Sequence, residues 1–366
     1  MINKKLFAIL APLYIVAIFF TASQLPIGGH EAEIFFKDSG LLGILSHLFE
    51  GFFHNGLDFR LPFVLFGFST LYLFFILSSF YFDSIEERLT SVSIFALLAG
   101  VITSSILVNI SPLVMSLVLL FVIGYKRNNL WLQYSSMLLI LFVHDASIIF
   151  FLAVMIAGVF KKNKELFFVA LLGGIVTALY LNGLDVGDKP KGKILELLGL
   201  YIAVFSPFVF IYFVFSIYHI GIKKRQDILW FICSVAFIFS ILLSIRQKII
   251  MTDFAPYVVV GVMIMLKDYY DMVYVRLHIF RKPYIIGYSV VIATLILSSL
   301  VIFLHRPIFF LLSDKSKHFA YPFYKPYWIA QKVPKCYTTD KSKEKYQLKY
   351  YGIKSCKDKN VTKIDM

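Results

Sequence analysis

The sequence predicts an all-α polytopic membrane protein, and three observations carry that prediction. Of its 366 residues 59% are hydrophobic and only 16% charged, more apolar surface than a water-soluble fold of this length can hide. Apolar runs of about 20 residues recur along the chain, each long enough to cross a ~30 Å hydrocarbon core as a helix. Lysine and arginine gather between the runs in clusters that fit one side of a membrane.

Runs bounded by charges and by Pro/Gly punctuation give about eleven spans, near 5–22, 61–82, 89–108, 110–124, 130–145, 147–160, 165–181, 194–217, 228–245, 254–266 and 283–305. The first follows Met-Ile-Asn-Lys-Lys and resembles a signal peptide. Thr21-Ala22-Ser23 is a weak cleavage signal and many spans follow, so the run is expected to stay as a membrane helix.

With eleven spans, the clusters Lys4-Lys5, Lys126-Arg127, Lys161-Lys162 with Lys164, Lys223-Lys224-Arg225, and Lys267 through Arg276 to Arg281-Lys282 share one side. The positive-inside bias makes that side the cytoplasm, which places the N-terminus inside and the tail outside, in the periplasm of a bacterial inner-membrane protein. Asp83 to Arg88 is a net-negative cytoplasmic turn, but acidic residues influence topology little.

The outer face then receives the loop from Ser23 to Arg60, the turn Asn109 to Pro112, His144-Asp145, the loop from Asn182 to Lys193, Ser244 to Asp253, and the tail. Within the first loop, Leu41, Ile44, Leu45, Leu48 and Phe52 recur at helical spacing, as in a helix lying in the membrane interface or packed onto the spans. Residues 1–305 read as a transmembrane domain and 306–366 as a small extracytoplasmic appendix, basic and rich in aromatics. Arg306 to Met366 holds 14 Lys/Arg and 5 Asp/Glu, so +9 of the chain's +14 sits there. Beside a membrane such a tail meets lipid phosphates, not nucleic acid.

Cys233 lies inside an apolar run as a small buried hydrophobe. Cys336 and Cys356 share the tail, where an oxidising compartment favours a disulfide; two free thiols are the alternative.

The residues that can carry chemistry gather on the outer face. Ile27-Gly28-Gly29-His30-Glu31-Ala32-Glu33 stands just past the first span, where two glycines let the backbone turn closely and His30, Glu31 and Glu33 supply proton-transfer groups. A solvated loop with scattered charges is the competing explanation. Asp58 and Arg60 lead into the second span, where Arg60 either binds an anion or snorkels. His144 and Asp145 interrupt an apolar run, as groups facing a water-filled cavity do, or as a buried pair within one kinked helix. Arg246 and Lys248, followed by Asp253 and Tyr257, join two spans on the face where positive residues are scarce, so two cations there can grip a lipid-linked phosphate.

No metal-ligand pattern occurs; a divalent cation held by Glu31, Glu33 and a substrate phosphate is left open. No phosphate-cradling glycine loop, nucleophile elbow or ATP-driven motor motif is present, so energy comes from the substrate or a gradient.

This order of features resembles the GT-C class of integral-membrane glycosyltransferases, which contains the protein O-mannosyltransferases and the aminoarabinose transferases. His30-Glu31-Ala32-Glu33 lies where that class carries an acidic Asp-Glu motif, with His30 in place of the usual aspartate. Arg60-Leu61-Pro62-Phe63-Val64-Leu65-Phe66-Gly67 is similar to the family's Arg-Leu-Pro…Gly entry to the second span, and Asn109 to Pro112 and Ser244 to Pro256 resemble family turns near the lipid-linked donor. The chain is short for the class and lacks a Pro-Pro stretch in the first loop, as a divergent or inactive member would.

The resemblance implies transfer of a sugar from a polyprenyl-phosphate carrier to a lipid or glycan acceptor at the outer face of the inner membrane. Glu31 or Glu33 would then be the base, and Arg60, Arg246 and Lys248 would hold the phosphate. The competing functions are a transporter or flippase of a lipid-linked saccharide, with His144-Asp145 and the basic loop lining a passage, and a non-catalytic assembly protein acting through its tail.

Overall fold

The computed structural model describes residues 3–53, 55–143, 146–180, 192–223, 226–332, 336–337, 339 and 341–355; His144, Asp145 and Cys356 lie outside the described residues. The chain is helical almost throughout. Lys4–Gln24, Leu57–Ser78, Ile228–Arg246 and Ile279–Phe303 are each long and apolar enough to cross a membrane. Two bent pairs, Ile85–Ala96 with Ala99–Ile106 and Ile194–Phe205 with Pro207–Ile222, pass the same test together. Ser111–Lys126, Leu130–Val143 and Ser147–Phe160 are apolar but shorter.

Each of the about eleven expected segments thus coincides with one helix or with two successive helices, the segment near 254–266 with Met251–Val259 and Val262–Val275, and four to six among the described residues have the length of a full crossing. The protein is a multi-pass membrane protein. The apolar side chains of its first and last long helices show it: Ile9, Leu13, Val16 and Phe20 on one and Ile285, Ile286, Leu297 and Leu300 on the other are exposed, as lipid contact requires.

The sharpest break has a local cause. Ser206 adopts φ 79° and Pro207, with no N–H to donate, opens the next helix, so the chain turns through 106°.

The chain forms two compact units. The first comprises Met1–Pro12, Phe66–Ser105 and Asn109–Leu300. Two helical hairpins in it, Ser111–Lys126 with Leu130–Val143 and Ser147–Phe160 with Lys164–Tyr180, turn by the same device. Asn128 and Lys162 take φ of 51° and 55°, and Asn129 N–H donates to Gly124 O as Asn163 N–H does to Gly158 O, both at 2.9 Å. This is the Schellman stop. The same asparagines then cap the returning helices, Asn129 Oδ1 accepting from Leu132 N–H and Asn163 Oδ1 from Leu166 N–H, each at 3.1 Å.

The glycines let the returning backbones close in, because a Cβ on Gly124 would stand 2.8 Å from Gln133 N and one on Gly158 2.9 Å from Phe167 N. Around the hairpins lies an apolar core of packed rings, among them Phe74 stacked on Phe95 at 4.0 Å and Phe121 edge-to-face with Phe150 at 5.0 Å. Cys233 is a free thiol buried in it.

The second unit comprises Leu13–Leu65, Ile106–Val108 and Val301–Met366. The compositional boundary after residue 305 lies near its Val301 edge, and the same unit also takes in the first loop. Its core gathers Ile27, Ala32, Ile34, Phe35, Phe59, Phe63 and Val108 with Tyr346, Tyr350 and Tyr351 of the tail. The tail folds as helices Tyr321–Lys332 and Ser342–Tyr350 and a two-residue parallel pairing of Cys336–Tyr337 with Lys354–Ser355.

The first loop holds the helices Gly29–Lys37 and Leu41–His47. Leu42 and Leu45 turn to the core while Leu41, Ile44, Leu48, Phe52 and Phe53 are exposed.

Candidate functional site

The helix Gly29–Lys37 carries His30, Glu31 and Glu33, and its start is fixed by a buried ion pair. Glu31, the third residue of the helix, reaches back to accept from Gly28 N–H at 2.8 Å, the half of a capping box that a carboxylate supplies. Its Oε1 accepts from Arg60 Nε at 2.9 Å and from Val108 N–H at 3.0 Å, and its Oε2 from Arg60 Nη2 at 2.5 Å. Every acceptor position of the carboxylate is occupied, and Glu31 is only 4% exposed.

Arg60 is equally committed. Nη1 donates to Ala22 O at 2.9 Å and Leu25 O at 2.5 Å, and Nη2 to Pro26 O at 3.0 Å besides Glu31, so all five N–H groups are used at 0% exposure. Ala22 O belongs to the last turn of Lys4–Gln24, whose free carbonyls and negative dipole end favour a cation. One arginine therefore closes the first helix and anchors the start of the next. Gly56 permits it, since a Cβ there would lie 2.7 Å from Ala22 O and 3.0 Å from Arg60 Nη1. Asp58 ties down the end of the loop by accepting from Phe53 N–H at 2.6 Å.

His30 and Glu33 differ from Glu31 in exposure: His30 is exposed and Glu33 half-buried. Glu33 has Lys37 Nζ and Lys343 Nζ each 3.8 Å away. The helix thus buries one carboxylate in a full set of partners and presents the other two ionisable groups outward.

The tail grips the turn ahead of this helix. Ile27 N–H donates to Tyr351 Oη at 3.2 Å, and Gln347 Nε2 donates to Ile27 O at 2.8 Å and Pro322 O at 3.2 Å. Gly28 and Gly29 are glycines because the tail lies against them: a Cβ on Gly28 would meet Phe323 at 2.6 Å, and one on Gly29 the Lys343 side chain at 3.0 Å. Burial pushes the Tyr351 hydroxyl up to about 12, so it stays neutral there. Sequence reasoning missed Gln347 and Tyr351. Nothing in their local pattern marks them, because the contact joins residues at opposite ends of the chain.

Two buried histidines stand in the same unit. His305 Nε2 pairs with Tyr324 Oη at 2.9 Å, which also accepts from Arg306 Nε at 3.0 Å, and His318 Nδ1 accepts from Ala320 N–H at 3.0 Å. Burial holds both imidazoles below the ordinary value of 6.5.

Of the residues expected at a phosphate site, Arg246, Lys248, Asp253 and Tyr257 belong to the first unit. Lys193 N–H donates to Ser244 O at 2.9 Å, which brings the loop after Ser244 beside the helix Ile194–Phe205. Glu196 there receives Lys193 Nζ at 2.8 Å on one oxygen and Lys248 Nζ at 2.9 Å on the other. Thr252 donates to Asp253 at 3.3 Å, and Tyr257 is fully buried, its ring stacked with Phe150 at 6.2 Å. Lys193 and Glu196 extend the expected set. Their signal was a charged helix start after a polar loop.

Among the described residues no group of three or more His, Cys, Asp or Glu is disposed to hold a metal ion. Glu31 has no lone pair left for a cation shared with Glu33.

Comparison with protein-family models and with characterised proteins gives no match. The fold is similar to the crystal structure of ArnT from Cupriavidus metallidurans in the apo state, at a TM-score of 0.56 and 12% identity, covering 94% of this chain and 84% of that one. ArnT is an aminoarabinose transferase of the GT-C class. At that identity the likeness is one of fold, and it agrees with the expected order of spans: this chain has the fold of ArnT.

Proposed function

We propose that the protein is a glycosyltransferase of the bacterial inner membrane, with its N-terminus cytoplasmic, that moves a sugar from a polyprenyl-phosphate carrier to a lipid or glycan acceptor at the outer face. The observation that carries this reading is a helix pinned at its start by Glu31–Arg60 that presents His30 and Glu33 outward, in a chain with the fold of ArnT.

In the reaction the acceptor hydroxyl gives its proton to a base, its oxygen bonds to the anomeric carbon, and the bond from that carbon to the phosphate oxygen breaks, releasing polyprenyl phosphate. Glu31 is a positioning residue, since its oxygens are spent on Arg60, Gly28 and Val108. The base is His30 or Glu33, whose outward placement leaves access for an acceptor.

On the first unit, Lys193 and Lys248 share one carboxylate, so the pair keeps a net positive charge. We propose that cluster as a docking point for an anionic lipid carrier on the first unit by itself. Replacing Lys248 by Gln is expected to raise the KM for the lipid-linked donor with little change in kcat.

The decisive experiment is transfer by purified protein in liposomes loaded with lipid-linked sugars. His30→Ala combined with Glu33→Gln is expected to lower kcat by about 10²-fold or more, the range of a lost acid–base group. Full transfer by that double variant, at normal yield of folded protein, would remove the proposal.

A further inference from the structure

The tail helix Ser342–Tyr350 packs against the candidate base helix Gly29–Lys37, and its charges are sorted by face. Its one acid, Glu344, is buried, paired with Lys325 Nζ at 3.0 Å and accepting from Thr339 Oγ1 at 3.0 Å. Gln347 and Leu348 are buried too. The outward side consists of Ser342, Lys343, Lys345 and Lys349, with Lys341 exposed just before the helix.

These cations run alongside the base helix. Lys343 reaches Glu33, and Lys349 Nζ lies 4.2 Å from the centre of the Phe36 ring. Phe36 in turn stacks with Tyr346 at 6.4 Å, and both rings are half-buried beside Lys349. Lys37 is exposed at the end of the same helix.

Two occupants would suit a lysine face, an anionic bilayer surface or a soluble polyanion, and the surroundings favour the second. A membrane-docking surface joins cations to exposed apolar side chains. No large hydrophobic residue after Phe319 is exposed among the described residues, and the exposed apolar patch Leu41, Ile44, Leu48 and Phe52 belongs to the first loop, not to this helix. The lysine face is therefore suited to a ligand that arrives through water and carries several negative charges.

We propose that Lys343, Lys345 and Lys349, beside the stacked Phe36 and Tyr346 rings, form a binding surface for a polyanionic glycan chain, the acceptor class of the transferase. The inference rests on the transferase reading only for its purpose, because binding is measured without turnover.

The full chain, held in nanodiscs of phosphatidylcholine, is titrated with oligogalacturonate and, separately, with neutral dextran. Oligogalacturonate is expected to bind with an affinity that falls as salt rises, and dextran to bind far more weakly. Changing Lys343, Lys345 and Lys349 together to Gln should weaken binding by about tenfold, the scale of three partly exposed charge contacts, while changing them to Arg should preserve it. Equal binding by the Gln variant, or equal binding of dextran, overturns the proposal. So does loss of oligogalacturonate binding to wild-type protein when phosphatidylglycerol is added to the nanodiscs, since the lysines then belong to the lipid surface. Charge-dependent binding without any sugar transfer would leave this surface in place and remove the transferase reading.

Discussion

At the scale of single residues the governing fact is that Glu31 and Arg60 are spent on each other and on backbone. Removing one partner of a buried pair strands the other charge, at a cost of about 3–5 kcal/mol. Glu31→Gln is therefore expected to lower thermal stability in detergent far more than Glu33→Gln, whose carboxylate is half-buried and only loosely paired. Arg60→Lys should resemble Glu31→Gln, because an ammonium offers three donors where five are in use. The buried histidines make a pH prediction. His305 and His318 are held below 6.5 in the folded protein, so on acidification through 6.5 the unfolded chain takes up protons first and stability falls. Melting temperatures measured from pH 7.5 down to 5 should drop, and the drop should shrink in His318→Gln.

At the scale of elements, the two hairpins repeat one solution. Gly124 with Asn128-Asn129 and Gly158 with Lys162-Asn163 stop one helix, cap the next and admit close backbone contact within a few residues. Gly124→Ala puts a methyl group 2.8 Å from Gln133 N, a backbone atom that cannot swing away. The expected cost is about 1–3 kcal/mol, read from thermal unfolding. Gly28→Ala meets the edge of the Phe323 ring at 2.6 Å and the Glu31 carboxylate at 3.2 Å, so pairing it with Phe323→Leu should restore part of the lost stability.

At the scale of the whole molecule, the tail is part of the unit that holds the candidate base. Gln347, Tyr351 and Phe323 fix Ile27 and Gly28, and Tyr346, Tyr350 and Tyr351 complete the apolar core under helix Gly29–Lys37. Deleting Lys315–Met366 is expected to unfold the first loop together with the tail. Limited proteolysis in liposomes checks this: new cleavage between Ser23 and Arg60 is the expected result, and an unchanged pattern would show that the first loop folds by itself. The exposed set Leu41, Ile44, Leu48 and Phe52 gives a further expectation, that a tryptophan at Ile44 is quenched by brominated lipid while one at Lys345 is not.

Much of this fold was legible in the sequence because its signals are local. Apolar runs long enough to span a bilayer, and the charges and prolines that end them, located one helix or two successive helices at every expected segment, and the order of those spans resembled the fold that ArnT shares. What composition and spacing cannot hold is the pairing of distant groups. Glu31 and Glu33 read alike as nearby carboxylates, and only the approach of Arg60 and Val108 separates the latched one from the open one. The tail reads as an appendix, and only tertiary packing joins Gln347 and Tyr351 to Ile27. Helix formation follows from hydrophobicity and backbone hydrogen bonding within a short stretch of chain. The choice of which carboxylate is buried follows from satisfying every donor of one arginine, and those partners come from both sides of the first loop and from the turn at Val108.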